Sequence, residues 1–136
     1  MRKKRILSLL MTLVLVTSLL PHAAAVSASR FTDVSEDSWY YEYVDFVTEK
    51  GYFAGTSATT VSPDLTMTRA MFVTVWARVD DAEIDNSVSA FVDVPAGTWY
   101  TGSVTWASEN GIVSGIGDNL FDPDGEITRE QMCVIM

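Results

Sequence analysis

The chain has 136 residues, with nine lysines and arginines against eighteen acids, a formal net charge of −9, one histidine and one cysteine. A single cysteine excludes an internal disulfide framework. So acidic a composition excludes non-specific attachment to nucleic acid or to anionic lipid.

The charge is unevenly placed. Arg2, Lys3, Lys4 and Arg5 precede an apolar run from Ile6 to Leu20, and Pro21-His22-Ala23-Ala24-Ala25 follows. Basic, then apolar, then small residues is the order of a secretory signal peptide, so residues 1–25 read as a leader cleaved after Ala25 or Ala28. The alternative, a membrane anchor, needs about 20 apolar residues, and this run is short for that. No membrane contact is expected after cleavage. Residues 26–136 then keep Arg30, Lys50, Arg69, Arg78 and Arg129 against all eighteen acids, a net charge of −13, and they have no histidine. That leaves no Ser-His or Cys-His nucleophile pair and no imidazole metal ligand.

After a short lead-in at 26–30, the first unit spans 31–79. Asp37-Ser38 precedes Tyr40, Tyr43, Val44 and Val47, apolar positions that fall on one helical face. Gly51 stops this helix, with Lys50 in its last turn. The apolar segment Tyr52-Phe53-Ala54 leads through a loop to Pro63-Asp64, and a second helix carries Phe72, Val75, Trp76 and Val79 on its apolar face. Residues 80–90, acidic and polar from Asp80 to Ser87, read as a solvated linker.

Residues 91–136 then repeat the pattern. Aligned without a gap on 31–76, they match at about 13 of 46 positions, including Asp33 on Asp93, Trp39 on Trp99, Pro63-Asp64 on Pro123-Asp124 and Thr68-Arg69 on Thr128-Arg129. The first helix of this copy is predicted from Thr98 to Gly111, with a weaker face of Tyr100, Val104 and Ala107. The last one carries Met132, Ile135 and Met136, and Cys133 among them reads as a small buried hydrophobe. A repeat this clear dictates an all-α architecture of tandem helix-loop-helix units that bury their faces on one another.

The set F-x-D-V, W-Y at a helix start, G-x-x-x-G and F-D-P-D-x-x-I-T-R-E resembles the S-layer homology domain. The second copy, "FVDVPAGTWYTGSVTWASENGIVSGIGDNLFDPDGEITREQ", carries the fuller match. The resemblance covers residues 31–136. It implies a bacterial surface module that attaches non-covalently to secondary cell-wall polysaccharide, often pyruvylated, through grooves between repeats of a pseudo-threefold bundle. Three repeats are typical of the family. Here there are two, so a partial bundle is expected, with the second repeat incomplete inside its last helix. The first copy also has Thr56 to Val61 in place of a glycine-aromatic loop and Met71 in place of a glutamate, where the second has Gln131.

Thr128 followed by Gln131 forms a capping box, whereas Thr68 can cap but Met71 cannot close the box, so the first copy's helix start is expected to be looser. An arginine in a helix's first turn is disfavoured by a few tenths of a kcal/mol. Its recurrence as Arg69 and Arg129 suggests an anion site built with helix amides; the alternative is an ion pair, such as Arg129 with Asp122 or Asp124. Trp39 and Trp99 are candidates to stack on sugar rings or to plug the interface between repeats, while Trp76 and Trp106 are expected to pack. Asp33 and Asp93 are candidates to accept from sugar hydroxyls or to serve as turn caps. The candidate glycan contacts are thus Arg69, Arg129, Trp39, Trp99, Asp33, Asp93 and Thr128.

A calcium loop in "DNLFDPDGEITREQ" would place Leu120 at position 1 and Gln131 at position 12, where acids are needed, so no metal is expected. Carboxylate pairs suited to glycoside hydrolysis are present, but they recur with the repeat or lie in the linker. The reading is therefore a binding module with neither catalytic residues nor cofactor. Its partner is a wall polymer or, as a further reading, other repeats or a second copy.

Overall fold

The computed structural model describes residues 27–136; the expected leader lies outside the described residues. A 3-10 turn at Ala28–Arg30 precedes four helices, α1 at Tyr41–Glu49, α2 at Arg69–Val79, α3 at Thr101–Glu109 and α4 at Arg129–Ile135. Among the described residues β pairing is limited to isolated bridges at Thr68 with Glu126 and at Gly117 with Leu120, so the fold is all-α as expected. No helix among them is long and apolar enough to cross a membrane.

The helix ends follow local chemistry. Gly51 and Gly111 both adopt positive φ, 74° and 70°, where a side chain would be strained, and end α1 and α3 as predicted. The start of α3 falls at Thr101, three residues later than predicted. Thr101 turns its hydroxyl back on the Pro95 carbonyl at 2.7 Å, and the same oxygen takes the Thr98 amide at 3.0 Å, so Thr98–Tyr100 form a turn instead of a helical one.

Packing does not follow the sequence repeats. The larger core joins Ala70 and Val73 of α2 to Phe91, Val94, Val104, Ala107, Val113, Phe121 and Ile135 of the second copy. A smaller cluster holds Phe31, Val34 and Val61, with Tyr40, Tyr41, Val44 and Phe53 against it. Helix α2 therefore belongs by packing to the second unit, where it lies against α3. Its buried stripe is Ala70, Val73, Thr74 and Ala77, two positions from the predicted Phe72, Val75, Trp76 and Val79 and therefore on nearly the opposite face, while the large Phe72 and Trp76 pack against the core only in part. Small residues at the centre of a contact let two helices approach closely, which a count of large apolar residues misses. Trp106 is half-buried against the same core, as expected.

The linker is bonded to α3 although most of its side chains are exposed. Asn86 Oδ1 accepts the Gly102 amide at 2.8 Å, the Asn86 carbonyl accepts the Gly97 amide at 2.7 Å, and Thr105 donates to the Val88 carbonyl at 3.0 Å. Asn86 thus satisfies an amide of α3's first turn from a distance. A Cβ at Gly102 would lie 2.8 Å from the Asp85 carbonyl oxygen, so only glycine admits the strap. Acidity alone suggested a solvated segment; its backbone bonds depend on a partner helix. Cys133 likewise departs from expectation and is exposed. Two residues are about 200° around a helix, and since Ile135 enters the core, Cys133 faces outward.

Candidate functional site

The two Pro-Asp…Thr-Arg segments meet different fates. At the start of α2, Thr68 accepts the Met71 amide at 3.2 Å. Arg69 and Ala70, whose amides a helix start leaves without partners, donate to the Gly125 and Pro123 carbonyls at 2.9 and 3.0 Å. Ile127 in turn donates to the Met67 carbonyl at 3.1 Å, and Thr66 to Glu126 at 2.8 Å. The second copy's loop therefore clasps the first copy's helix. The looser start expected from Met71 is not found: no N3 side chain takes the Thr68 amide, but the bonds from the Arg69 and Ala70 amides to the second copy's loop pin the turn instead. At α4 the box is complete within the segment: Thr128 accepts from the Gln131 amide at 3.2 Å, and Gln131 Oε1 accepts the Thr128 amide at 3.0 Å.

The arginines differ accordingly. Arg69 is 6% exposed, donates from Nε to the Phe121 carbonyl at 2.9 Å, and lies with its guanidinium carbon 4.8 Å from the Phe121 ring centre. It sits between the two copies instead of on the surface, away from any ligand-accessible groove described below. Arg129 is exposed at the first position of α4.

The aspartates hold loops. Asp33 accepts the Val61 and Ser62 amides at 3.0 and 2.6 Å, and Asp93 accepts those of Phe121 and Asp122 at 2.9 and 2.7 Å. The Val61 amide chiefly holds the Asp33 carboxyl below its ordinary range; desolvation opposes it, and the Ser62 amide adds a weaker lowering. The turn-capping alternative describes both residues as placed.

Trp99 is where an accessible site forms. The indole is 56% exposed, with Tyr100 edge-on to it at 5.0 Å and 86°. Two depressions of about 370 and 380 Å³ meet there, sharing Thr74, Arg78 and Trp99. The first is walled by the Phe53–Thr56 turn together with Met71 and Val75; the second is walled by Lys50, Asp81, Ile84 and Ser103. Arg78 makes one long bond, 3.4 Å, to the Tyr52 carbonyl. Thr74 Oγ1 is buried with no hydrogen-bond partner among the described residues, a condition rare in folded proteins. The groove therefore combines a flat apolar face with two cations beside one carboxylate.

Trp39, the counterpart of Trp99, is 84% exposed with Tyr40 edge-on at 5.6 Å. It opens on a separate depression and plugs no interface. Lys50, Thr74 and Arg78 were not singled out from sequence. Scarcity was the available signal, since Lys50 and Arg78 are two of only five cations beyond residue 25; it drew attention to the arginines that recur and passed over those that do not.

Comparison with known proteins gives a consistent picture. The family described as the S-layer homology domain matches residues 30–71 and 90–133. An endoglucanase of Bacillus sp. (strain KSM-635) is 36% identical over 97% of this chain and 15% of its own length. An S-layer protein of Bacillus thuringiensis subsp. finitimus is 29% identical over 98% of this chain and 16% of its own. An amylopullulanase of Thermoanaerobacterium thermosulfurigenes is 30% identical over 84% of this chain and 6% of its own. The chain thus spans about a sixth or less of these relatives.

Proposed function

The chain belongs to the S-layer homology domain family, and on that premise we propose that it holds an exported protein to the wall by binding an anionic, pyruvylated unit of the secondary cell-wall polysaccharide. Its place is the bacterial cell surface. The domain is a binding module: S-layer proteins and polysaccharide-degrading enzymes share it as a small part of much longer chains.

The observation that carries the polymer reading is the groove at Trp99. A sugar's C–H face suits the exposed indole. A ketal-linked carboxylate suits the guanidinium of Arg78, which can pair with it through two parallel bonds, with Lys50 adding charge. In a chain so acidic beyond residue 25, a local pair of cations is a means of choosing one anion while repelling others. Arg129, exposed at α4, offers the polymer a third cation.

Co-sedimentation with bacterial wall sacculi, before and after their secondary polymer is stripped, tests this directly. The protein should pellet with intact walls and stay in solution with stripped ones. Trp99→Ala and Arg78→Ala should each lower the pelleted fraction strongly, and Arg129→Ala should do so with helical content unchanged. Pelleting that survives stripping would reject the polymer.

A second reading rests on α1. Tyr43 and Phe46 are 67% and 54% exposed on a helix whose counterpart, α3, is covered by α2. A partner repeat is the natural cover. Sedimentation velocity over a concentration series, without glycan, would show self-association if that partner is a second copy.

A further inference from the structure

Next to the groove at Trp99 lies the separate depression of about 430 Å³ at Trp39, and Phe53, Thr56 and Met71 form walls of both. Trp39 stands at the open side of this second depression, with Leu65 and Met67 as apolar lining. Its rim is polar: Ser62, Thr66 and Asp64. Among its described lining residues there is no cation, in contrast to the Lys50 and Arg78 of the groove at Trp99.

We infer that this depression is a subsite for an uncharged sugar unit, next along the same polymer from the anionic unit held at Trp99. The inference rests on the Trp99 reading. An exposed indole presents a flat apolar face to a pyranose ring, and the hydroxyls and carboxylate of the rim match the hydroxyls of a neutral sugar as acceptors and donors. A second carboxylate would meet Asp64 with no cation to offset it, a repulsion that sets the order of charged and neutral units. The rim is already organised. Thr56 and Ser62 share a hydrogen bond of 2.7 Å, and Asp33 holds the Val61 and Ser62 amides, so little ordering is left for the ligand to impose.

The two indole N–H signals separate the subsites by NMR. N,N′-diacetylchitobiose serves as the neutral probe and glucuronic acid as the anionic one. The neutral probe should move the Trp39 signal and leave that of Trp99, and glucuronic acid should do the reverse. Trp39→Ala should weaken binding to intact sacculi about tenfold, and Trp99→Ala more than that. A neutral probe that leaves Trp39 unmoved overturns the subsite. So does a Trp39→Ala protein that pellets like the parent while Trp99→Ala fails to pellet, and the Trp99 reading then stands. If both variants pellet like the parent, both readings fall. A Trp39 signal that responds to protein concentration and to neither sugar makes the depression a contact between copies, which also overturns the subsite.

Discussion

Helices α1 and α3 occupy the same position in two copies of one pattern, yet α3 is buried along almost its whole length and α1 buries only Thr48. The difference lies in what surrounds them. Helix α3 is covered by α2 on one side and by the strapped linker on another, and it has adapted with Gly102, Ser103 and Ala107 where α1 has Glu42, Tyr43 and Val47. The lead-in segments meet both helices at the same position but with opposite polarity: Thr105 donates to the Val88 carbonyl, whereas Asp45 accepts the Ala28 amide at 2.8 Å. A repeat protein can thus keep one local code while each copy is tuned to its neighbours.

The largest expected effect breaks the equivalence of the two arginines. Arg69→Ala removes a buried charged hydrogen bond and a ring contact and leaves the Phe121 carbonyl unpaired, at a cost of about 3 kcal/mol. Thermal unfolding should show a midpoint lower by on the order of 10 °C. Arg129→Ala should change stability by less than about 0.5 kcal/mol. Equal shifts for the two would show that the clasp between copies does not hold.

A smaller effect should come from exchanging the residues at one helix position. Gly102→Glu puts the first copy's residue where the linker crosses and should cost about 2 kcal/mol through displaced backbone. The reverse change, Glu42→Gly, meets no such strap and should cost about 1 kcal/mol from helix propensity alone. Urea unfolding of the pair measures the gap, and near-equal midpoints would remove the strap from the account.

The smallest effect concerns acid. A carboxyl whose pKa falls on folding contributes stability above its unfolded value, 3.8 for Asp33, and loses it as pH drops through the lower folded value. The protection of the Val61 and Ser62 amides, measured against the intrinsic exchange rate at the same pH, should therefore fall below about pH 4. Asp33→Asn should show fast exchange already at neutral pH and no such acid transition. Unchanged exchange in that variant would mean that the loop is held without Asp33.

The sequence by itself determined the repeat, the all-α class, the helix stops at Gly51 and Gly111, and the family. It also determined that Thr68 and Thr128 cap helices, because each of these depends on residues within a turn or two of one another. Only the tertiary structure decided that α2 packs with the second copy, that Arg69 is buried and Arg129 exposed, and that Cys133 faces out. It likewise brought Lys50, Thr74 and Arg78 to Trp99. The physical reason is symmetry: two copies with one local code carry the same short-range signals, and only contacts between segments distant in the chain can make their environments differ.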